Sequence, residues 1–205
     1  MIVAEAIARA QWSPEYQAVR EHYADQVAKI SGVPLMQQVE EGLIILDVLD
    51  ASEDAMRAFC LRPLFQTDAN LVRYGQDFMD AVEPSPFVIL LVMEYRSRAN
   101  AWLSKKVHRS AADEFQIVAD GMPSAGPLEA VRDMLIADKV QGRKEFIRHQ
   151  RGRHARTEEL DLYFELWLQA LGVDQEEYDG LCASIDMAVR RAVPRNIFAA
   201  DPHHG

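Results

Sequence analysis

The chain has 205 residues, of which 49% are hydrophobic and 8% aromatic, and its formal net charge at pH 7 is −10. This length and apolar content predict one folded domain and exclude an intrinsically disordered chain. The acidic balance argues against a broad nucleic-acid-binding surface, and the longest apolar run, residues 87–93, is too short to cross a membrane. The first residues lack the basic start of a secretory signal, so we expect a cytoplasmic protein.

The N-terminal third contains clear helix start signals. Residues 1–12 are predicted to form an N-terminal arm. Ser13 followed by Pro14 is a strong start signal, and it predicts a helix that runs to about Ile30. Apolar side chains at helical spacing predict a second helix from Leu35 to Leu49.

The next two helices are predicted to meet at a proline. Ser52 caps the first of them, and Pro63 is expected to end or kink it, because proline lacks a backbone donor and clashes with the preceding turn. Thr67 or Asp68 is positioned to cap the following helix, which is expected to reach about Val82.

The second half of the chain predicts four further helices around one long loop. The loop, residues 106–127, contains a strand-like piece at 115–118. The helices are expected at about residues 87–105, 128–149, 157–171 and 174–193. Because no segment alternates with period two over several residues, we predict an all-α, single-domain bundle of about seven to eight helices over residues 13–193, with 194–205 as a flexible tail.

The helix at 128–149 is the least ordinary part of the sequence. Apolar residues surround Asp138, so a carboxylate is carried inward and needs a partner. From Lys139 onward the chain is basic, which suggests that an anion or an acidic surface of the same protein faces it. Two interpretations remain open for this basic segment. It contacts phosphate or nucleic acid through residues 143–156, or it is a solvated face that balances acidic neighbours, namely Glu158, Glu159 and Asp161.

The phrase Met-Leu-Ile-Ala-Asp-Lys-Val-Gln at residues 134–141 resembles the late "LADKLxN" segment of HD-domain phosphohydrolases. The resemblance is to the (p)ppGpp hydrolase branch related to RelA and SpoT. It implies an HD-like helical fold and a divalent metal, Mn²⁺ or Mg²⁺, bound by an early histidine, a His-Asp doublet and a late aspartate. By helix order these ligands would fall near Gln37 or Gln38, at Arg62 and Pro63, and at Asp138. Only Asp138 keeps a ligand side chain, so the resemblance implies a degenerate metal site.

On this basis we expect a cleft that binds a nucleotide or another phosphorylated small molecule, since arginine forks suit phosphate oxygens. If the resemblance extends to phosphohydrolase activity, Asp138 would hold the metal and Glu94 or Asp68 would activate water. The ligand-binding residues are expected to be Gln38, Arg62, Gln66, Lys139, Arg143, Arg148, Arg151 and Arg153.

Two simpler interpretations stand beside this one. Arg62 is suited to a buried structural ion pair with Asp138, Glu94 or Asp68. A rival function is that of a non-enzymatic interaction protein, whose acidic residues between 40 and 83 bind a basic protein partner.

Overall fold

A computed structural model of the chain describes residues 8–103, 127–153 and 155–192. Within these ranges the chain is helical and contains no strand, so the all-α prediction is confirmed. Residues 8–11 are helical and bury Ala10 in the core. The helices that follow are α1 Pro14–Tyr23, α2 Leu35–Val48, α3 Glu53–Phe65, α4 Asp68–Val82, α5 Pro86–Leu103, α6 Glu129–His149, α7 Thr157–Leu171 and α8 Gln175–Ala192.

Some expectations fall on other residues. The first part of the N-terminal arm, the strand-like piece at 115–118, the predicted end of the apolar helix near residue 105 and the tail at 194–205 lie outside the described ranges. None of the helices in the described part of the chain has the length and apolar content needed to cross a membrane.

Short-range hydrogen bonds produce the predicted helix starts. The side-chain oxygens of Ser13, Ser52 and Thr67 each accept a hydrogen bond from the backbone N–H three residues later, at 3.1, 3.2 and 3.1 Å. Each bond satisfies one of the amide groups that a helix N-terminus leaves without a partner. At the other end of α7, Gly172 adopts the left-handed conformation (φ 75°) expected of a helix-ending glycine.

Two helix ends differ from the prediction. Helix α1 ends at Tyr23 rather than near Ile30, because the chain reverses at Ala24 (φ 42°) and pairs with the residues just before α2. There the Leu35 amide donates to the Gln26 carbonyl at 2.9 Å, so bonds across a turn replace those of a longer helix. Helix α3 continues past Pro63 to Phe65, since a proline in the last turn removes few helical hydrogen bonds.

Helices α3 and α6 form the centre of the bundle. Helix α3 packs against α1, α2, α4, α5 and α6, whereas α6 packs against α2, α3, α5, α7 and α8. Fully buried side chains at this centre include Phe59 and Leu64 of α3 and Met134 and Ile136 of α6. Each such side chain contributes about 1.5–3 kcal/mol when it leaves water. Because α6 is enclosed on several sides, some of its polar residues, namely Lys139, Gln141 and Lys144, are buried as well.

Candidate functional site

A cluster of charged side chains joins α3 and α6 at the centre of the bundle. Arg62 Nη1 forms an ion pair with Asp138 Oδ1, and Lys139 Nζ lies 2.8 Å from Asp138 Oδ2. The Arg62 and Lys139 side chains are only 7% and 5% exposed. The Arg62 guanidinium also lies 4.4 Å from the centre of the Phe59 ring. Of the three partners considered for Arg62, the structure therefore selects Asp138.

The two cations decide the ionisation of Asp138. Burial opposes its charge, but the charges of Lys139 and Arg62 outweigh burial and lower the pKa of Asp138 to about 2. Burial likewise opposes the charge of Lys139, whereas Asp138 raises its pKa above the ordinary lysine value. Lys139 Nζ also donates to the Tyr163 hydroxyl at 2.9 Å and lies 5.0 Å from the centre of the Trp167 ring. Lys139 is therefore a charged structural group and not a neutral nucleophile.

A cavity of about 290 Å³ lies beside this cluster, and we call it the amide cavity. Helices α2, α3, α6 and α7 contribute to its wall. It is lined by Gln38, Arg62, Gln66, Asp138, Gln141, Gly142, Glu145, Phe146, Gln150, Leu160 and Phe164.

Glu145 organises one side of the amide cavity. Its carboxylate accepts hydrogen bonds from Ser31 Oγ at 2.5 Å, Gln38 Nε2 at 2.8 Å and Gln141 Nε2 at 3.1 Å. These donors are neutral. By contrast, the side-chain amides of Gln66 and Gln150 have no hydrogen-bond partner among the described residues. The cavity thus contains two glutamine amides that are available to a ligand.

Gly142 makes room for an aromatic wall. A Cβ atom at this position would lie 3.1 Å from Cε1 of Phe164, which is closer than most real Cβ contacts. The Phe164 and Phe146 ring centres are 5.7 Å apart. The absence of a side chain at Gly142 therefore allows Phe164 to line the cavity.

The structure separates the residues that the sequence grouped into one cleft. Gln38, Arg62, Gln66 and Asp138 line the amide cavity together. The others do not line it. Those on α6 point in different directions around the helix axis, and Arg151 and Arg153 lie in the turn after it. Lys139 contacts Trp167, Arg143 lines another cavity, Arg148 pairs with Asp186, Arg151 pairs with Asp161, and Arg153 is exposed in the turn after α6.

The two carboxylates expected to activate water also lie elsewhere. Asp68 is 92% exposed and pairs with Arg96. Glu94 pairs with Arg98 at 2.9 Å, as in an ordinary pair one helical turn apart. Neither carboxylate lines the amide cavity. Among the described residues that line the cavity, the carboxylates are Asp138 and Glu145, and neutral donors surround Glu145.

Sequence reasoning missed several residues of the cavity wall. Gln141, Glu145, Phe146, Gln150 and Phe164 were not expected there. A signal was present for two of them, since Gln141 and Glu145 follow Asp138 by three and seven residues and share its helix face. Phe164 gave no such signal, because its place depends on how α7 packs against α6.

The residues around Asp138 do not fit a divalent metal. Both Asp138 oxygens are engaged by cations, and Gln38 and Arg62 occupy the positions that the HD resemblance assigned to other ligands. Over the described ranges, no group of three or more histidine, cysteine, aspartate or glutamate side chains is arranged to hold a metal ion. A guanidinium and an ammonium at the site would repel Mn²⁺ or Mg²⁺. Asp138 is thus an ion-pair partner, and the expectation that it holds a metal is corrected.

Comparison of the chain with protein-family models, with curated proteins and with solved structures finds no match. The resemblance of residues 134–141 to HD-domain phosphohydrolases stays a prediction.

The lowered pKa of Asp138 predicts a specific acid sensitivity. Its folded-state pKa is about 2 and its ordinary value is 3.8, so the ion cluster stabilises the fold above pH 4 and this contribution is lost as the pH falls towards 2. The difference corresponds to about 2 kcal/mol. Urea unfolding at several pH values should show this loss in the natural chain and in an Asp77→Asn variant, whose changed carboxylate is exposed. An Asp138→Asn variant with the same pH dependence would contradict the assignment.

Proposed function

We propose that the protein binds a nucleotide, with the base in the amide cavity and the phosphate at the turn after α6. The observation that supports this proposal best is the pair of available amides, Gln66 and Gln150, in a cavity walled by two phenylalanines. Either function discussed below is proposed for a cytoplasmic protein, as the sequence predicts.

The chemistry of the cavity suits a nucleobase. A glutamine amide offers one donor side and one acceptor side, and this combination matches the hydrogen-bonding edge of adenine in particular. Phe146 and Phe164 provide apolar surface for a planar ring, and stacking of a base on an aromatic side chain contributes roughly 1–3 kcal/mol. A volume of about 290 Å³ suits the base and leaves the rest of a nucleotide outside.

The phosphate is assigned to the turn because the buried cations are already paired. Arg62 is held by Asp138, so a phosphate there would have to displace a buried carboxylate. Gln150 lines the cavity and begins the turn that carries Arg151 and Arg153. Arg151 Nε forms an ion pair with Asp161 Oδ2 at 2.9 Å, whereas Arg153 forms no ion pair within the described ranges. Arg153 is therefore the proposed phosphate contact.

The same pairing weakens two other expectations. The basic segment is not a continuous positive face, because most of its cations contact acidic or aromatic side chains of the protein itself. Nucleic-acid binding through residues 143–156 is therefore not part of the proposal. Since the residues around Asp138 do not fit a metal, we propose binding alone and not the metal-dependent phosphohydrolysis that the HD resemblance implies.

Calorimetric titration and thermal unfolding with adenine and guanine nucleotides, in the presence of a metal chelator, test the proposal. A nucleotide that binds the native state raises the melting temperature by mass action. Gln66→Leu and Phe164→Leu should each weaken binding by about tenfold, which equals the loss of one buried hydrogen bond or one stacking contact. Arg153→Ala should weaken the binding of nucleotides and leave the binding of nucleosides unchanged.

The matched control for these variants is Gln76→Leu, which changes an exposed glutamine on α4 that does not line the cavity. Binding that is equally strong in Gln66→Leu, Phe164→Leu and the control would contradict the proposal. So would the absence of binding to every nucleotide tested.

The second candidate function is the binding of a basic protein partner. Helix α5 exposes Phe87, Leu90 and Met93 at helical spacing, and α4, which precedes it in the chain, exposes Asp77 and Asp80. Exposed apolar and acidic side chains of this kind suit a partner with apolar and basic side chains. No binding of nucleotides, together with a partner that the natural chain retains and a Leu90→Glu variant loses, would favour this function over the first.

A further inference from the structure

A second cavity, of about 460 Å³, lies where α6, α7 and the start of α8 meet. Its lining includes Arg143, Glu165, Leu168, Val173, Asp174 and Gln175. None of the described residues lines both this cavity and the amide cavity. We call it the Arg143 cavity.

The guanidinium of Arg143 is incompletely satisfied. Its side chain is 12% exposed, and its buried Nε has no hydrogen-bond partner within the described part of the chain. Its ion pair is with Glu165 at 3.7 Å, and the Glu165 side chain is 55% exposed. This long ion pair leaves the rest of the guanidinium available to an acceptor that binds in the cavity.

The planar shape of the Arg143 guanidinium favours a carboxylate as the acceptor. Arg143 Cζ lies 4.6 Å from the centre of the Tyr178 ring, so the ring supports one face of the guanidinium. A guanidinium held in this way offers two parallel N–H donors, and a carboxylate matches them with its two oxygens.

The net charge of the cavity lining disfavours a ligand whose only charged group is a carboxylate. Arg143 contributes one positive charge, whereas Glu165 and Asp174 contribute two negative charges, so the lining has a net charge of −1. A phosphate or a simple carboxylate would be repelled by the two acids. A ligand that also carries an ammonium group would satisfy them. Asp174 Oδ1 accepts the Glu177 amide at 2.9 Å and caps α8, which leaves Oδ2 for such a group.

We propose that the Arg143 cavity binds a free α-amino acid. Its carboxylate contacts the Arg143 guanidinium, its ammonium group lies between Glu165 and Asp174, and its side chain packs on Leu168 and Val173. The volume lies within the usual range for small-molecule sites. This inference is independent of the nucleotide proposal, because it rests on a different cavity.

Titration calorimetry of the full chain with each of the common L-amino acids is the first test. The amino acid that binds best is then compared with the amine and the carboxylic acid that each lack one of its two charged groups. For leucine these are 3-methylbutylamine and 4-methylpentanoate. We expect the amino acid to bind more tightly than either by at least about tenfold, since each analogue loses one of the two charged contacts. Absence of binding by all amino acids, or tighter binding of inorganic phosphate, would overturn the proposal.

Variants assign the two charged contacts. Arg143→Lys keeps the positive charge but removes the two parallel N–H donors of the guanidinium. It should weaken the binding of the amino acid by about tenfold or more. Glu165→Gln and Asp174→Asn each remove a negative charge, and asparagine keeps the cap of α8. Both variants should bind the amino acid more weakly and the matched carboxylic acid more tightly. A merely structural role of these residues would not produce opposite changes in the two affinities.

Gln76→Leu, which changes an exposed residue of α4 that lines neither cavity, is the control and should leave amino-acid binding unchanged. If Arg143→Lys fails to fold by circular dichroism, the half-exposed Glu165 still provides the reversal test. Equal effects of Glu165→Gln on the amino acid and on the carboxylic acid would contradict the assigned ammonium contact.

Discussion

Replacing Asp138 with alanine should lower the free energy of unfolding by about 3–5 kcal/mol, the usual effect of removing one partner from a buried ion pair. The loss is large because Arg62 and Lys139 remain buried and lose the carboxylate that both contact. Urea unfolding followed by circular dichroism measures it. The matched control is Asp68→Ala, which breaks an aspartate–arginine pair whose carboxylate is 92% exposed. Asp68→Ala should lower the free energy of unfolding by less than about 1 kcal/mol.

A double-mutant cycle separates the pair from its surroundings. Arg62→Met and Asp138→Asn should each destabilise the protein, and the double variant should be more stable than the sum of the two losses predicts. The reason is that each single change leaves one buried charge uncompensated, whereas the double change removes both charges. Losses that add within about 0.5 kcal/mol would show that the two side chains are not coupled.

Replacing Gly42 with alanine should destabilise the protein by about 1–3 kcal/mol through overpacking. A Cβ atom there would overlap the Phe59 ring, which is fully buried and lies under the Arg62 guanidinium. Alanine favours a helix over glycine by about 1 kcal/mol, so the expected net loss means that the steric conflict exceeds this gain. Displacement of Phe59 should also disturb Arg62 and weaken ligand binding in the amide cavity.

Gly180→Ala is the matched control for this prediction. Gly180 is exposed within α8, and a Cβ atom there would meet nothing within 4 Å. The change should stabilise the protein by up to about 1 kcal/mol, because it gains helix propensity without a clash. Equal effects of the two glycine changes on the urea midpoint would show that Gly42 is not a close contact between α2 and α3.

The sequence and the structure agree best where a feature depends on neighbours in the chain. Ser13, Ser52 and Thr67 cap helices as predicted, because each cap bonds to an amide three residues away. The end of α1 was predicted wrongly, since it depends on pairing between residues on both sides of a turn. Of the two effects expected of Pro63, it does not end α3, because the helix continues to Phe65.

The candidate site shows a similar division. The HD resemblance, applied by helix order, implied that Gln38, Arg62 and Asp138 lie near one another, and the three residues line one cavity. The prediction that Lys139 and Arg143 join them is wrong, because residues that are adjacent in a helix point to different neighbours. The opposing acidic and aromatic groups, such as Trp167, Glu165 and Tyr178, lie far along the chain. Their positions could not be read from the spacing of the basic residues.

The sequence by itself determined the helical class, most helix starts, and the need of Asp138 for a charged partner. These properties follow from hydrogen bonds within one turn, from apolar spacing and from the cost of burying a carboxylate. Only the tertiary structure decided that the partners are Arg62 and Lys139 rather than a metal, and that Arg143 lines a cavity of its own. Long side chains find partners on other helices, and the packing of those helices determines which partners they meet.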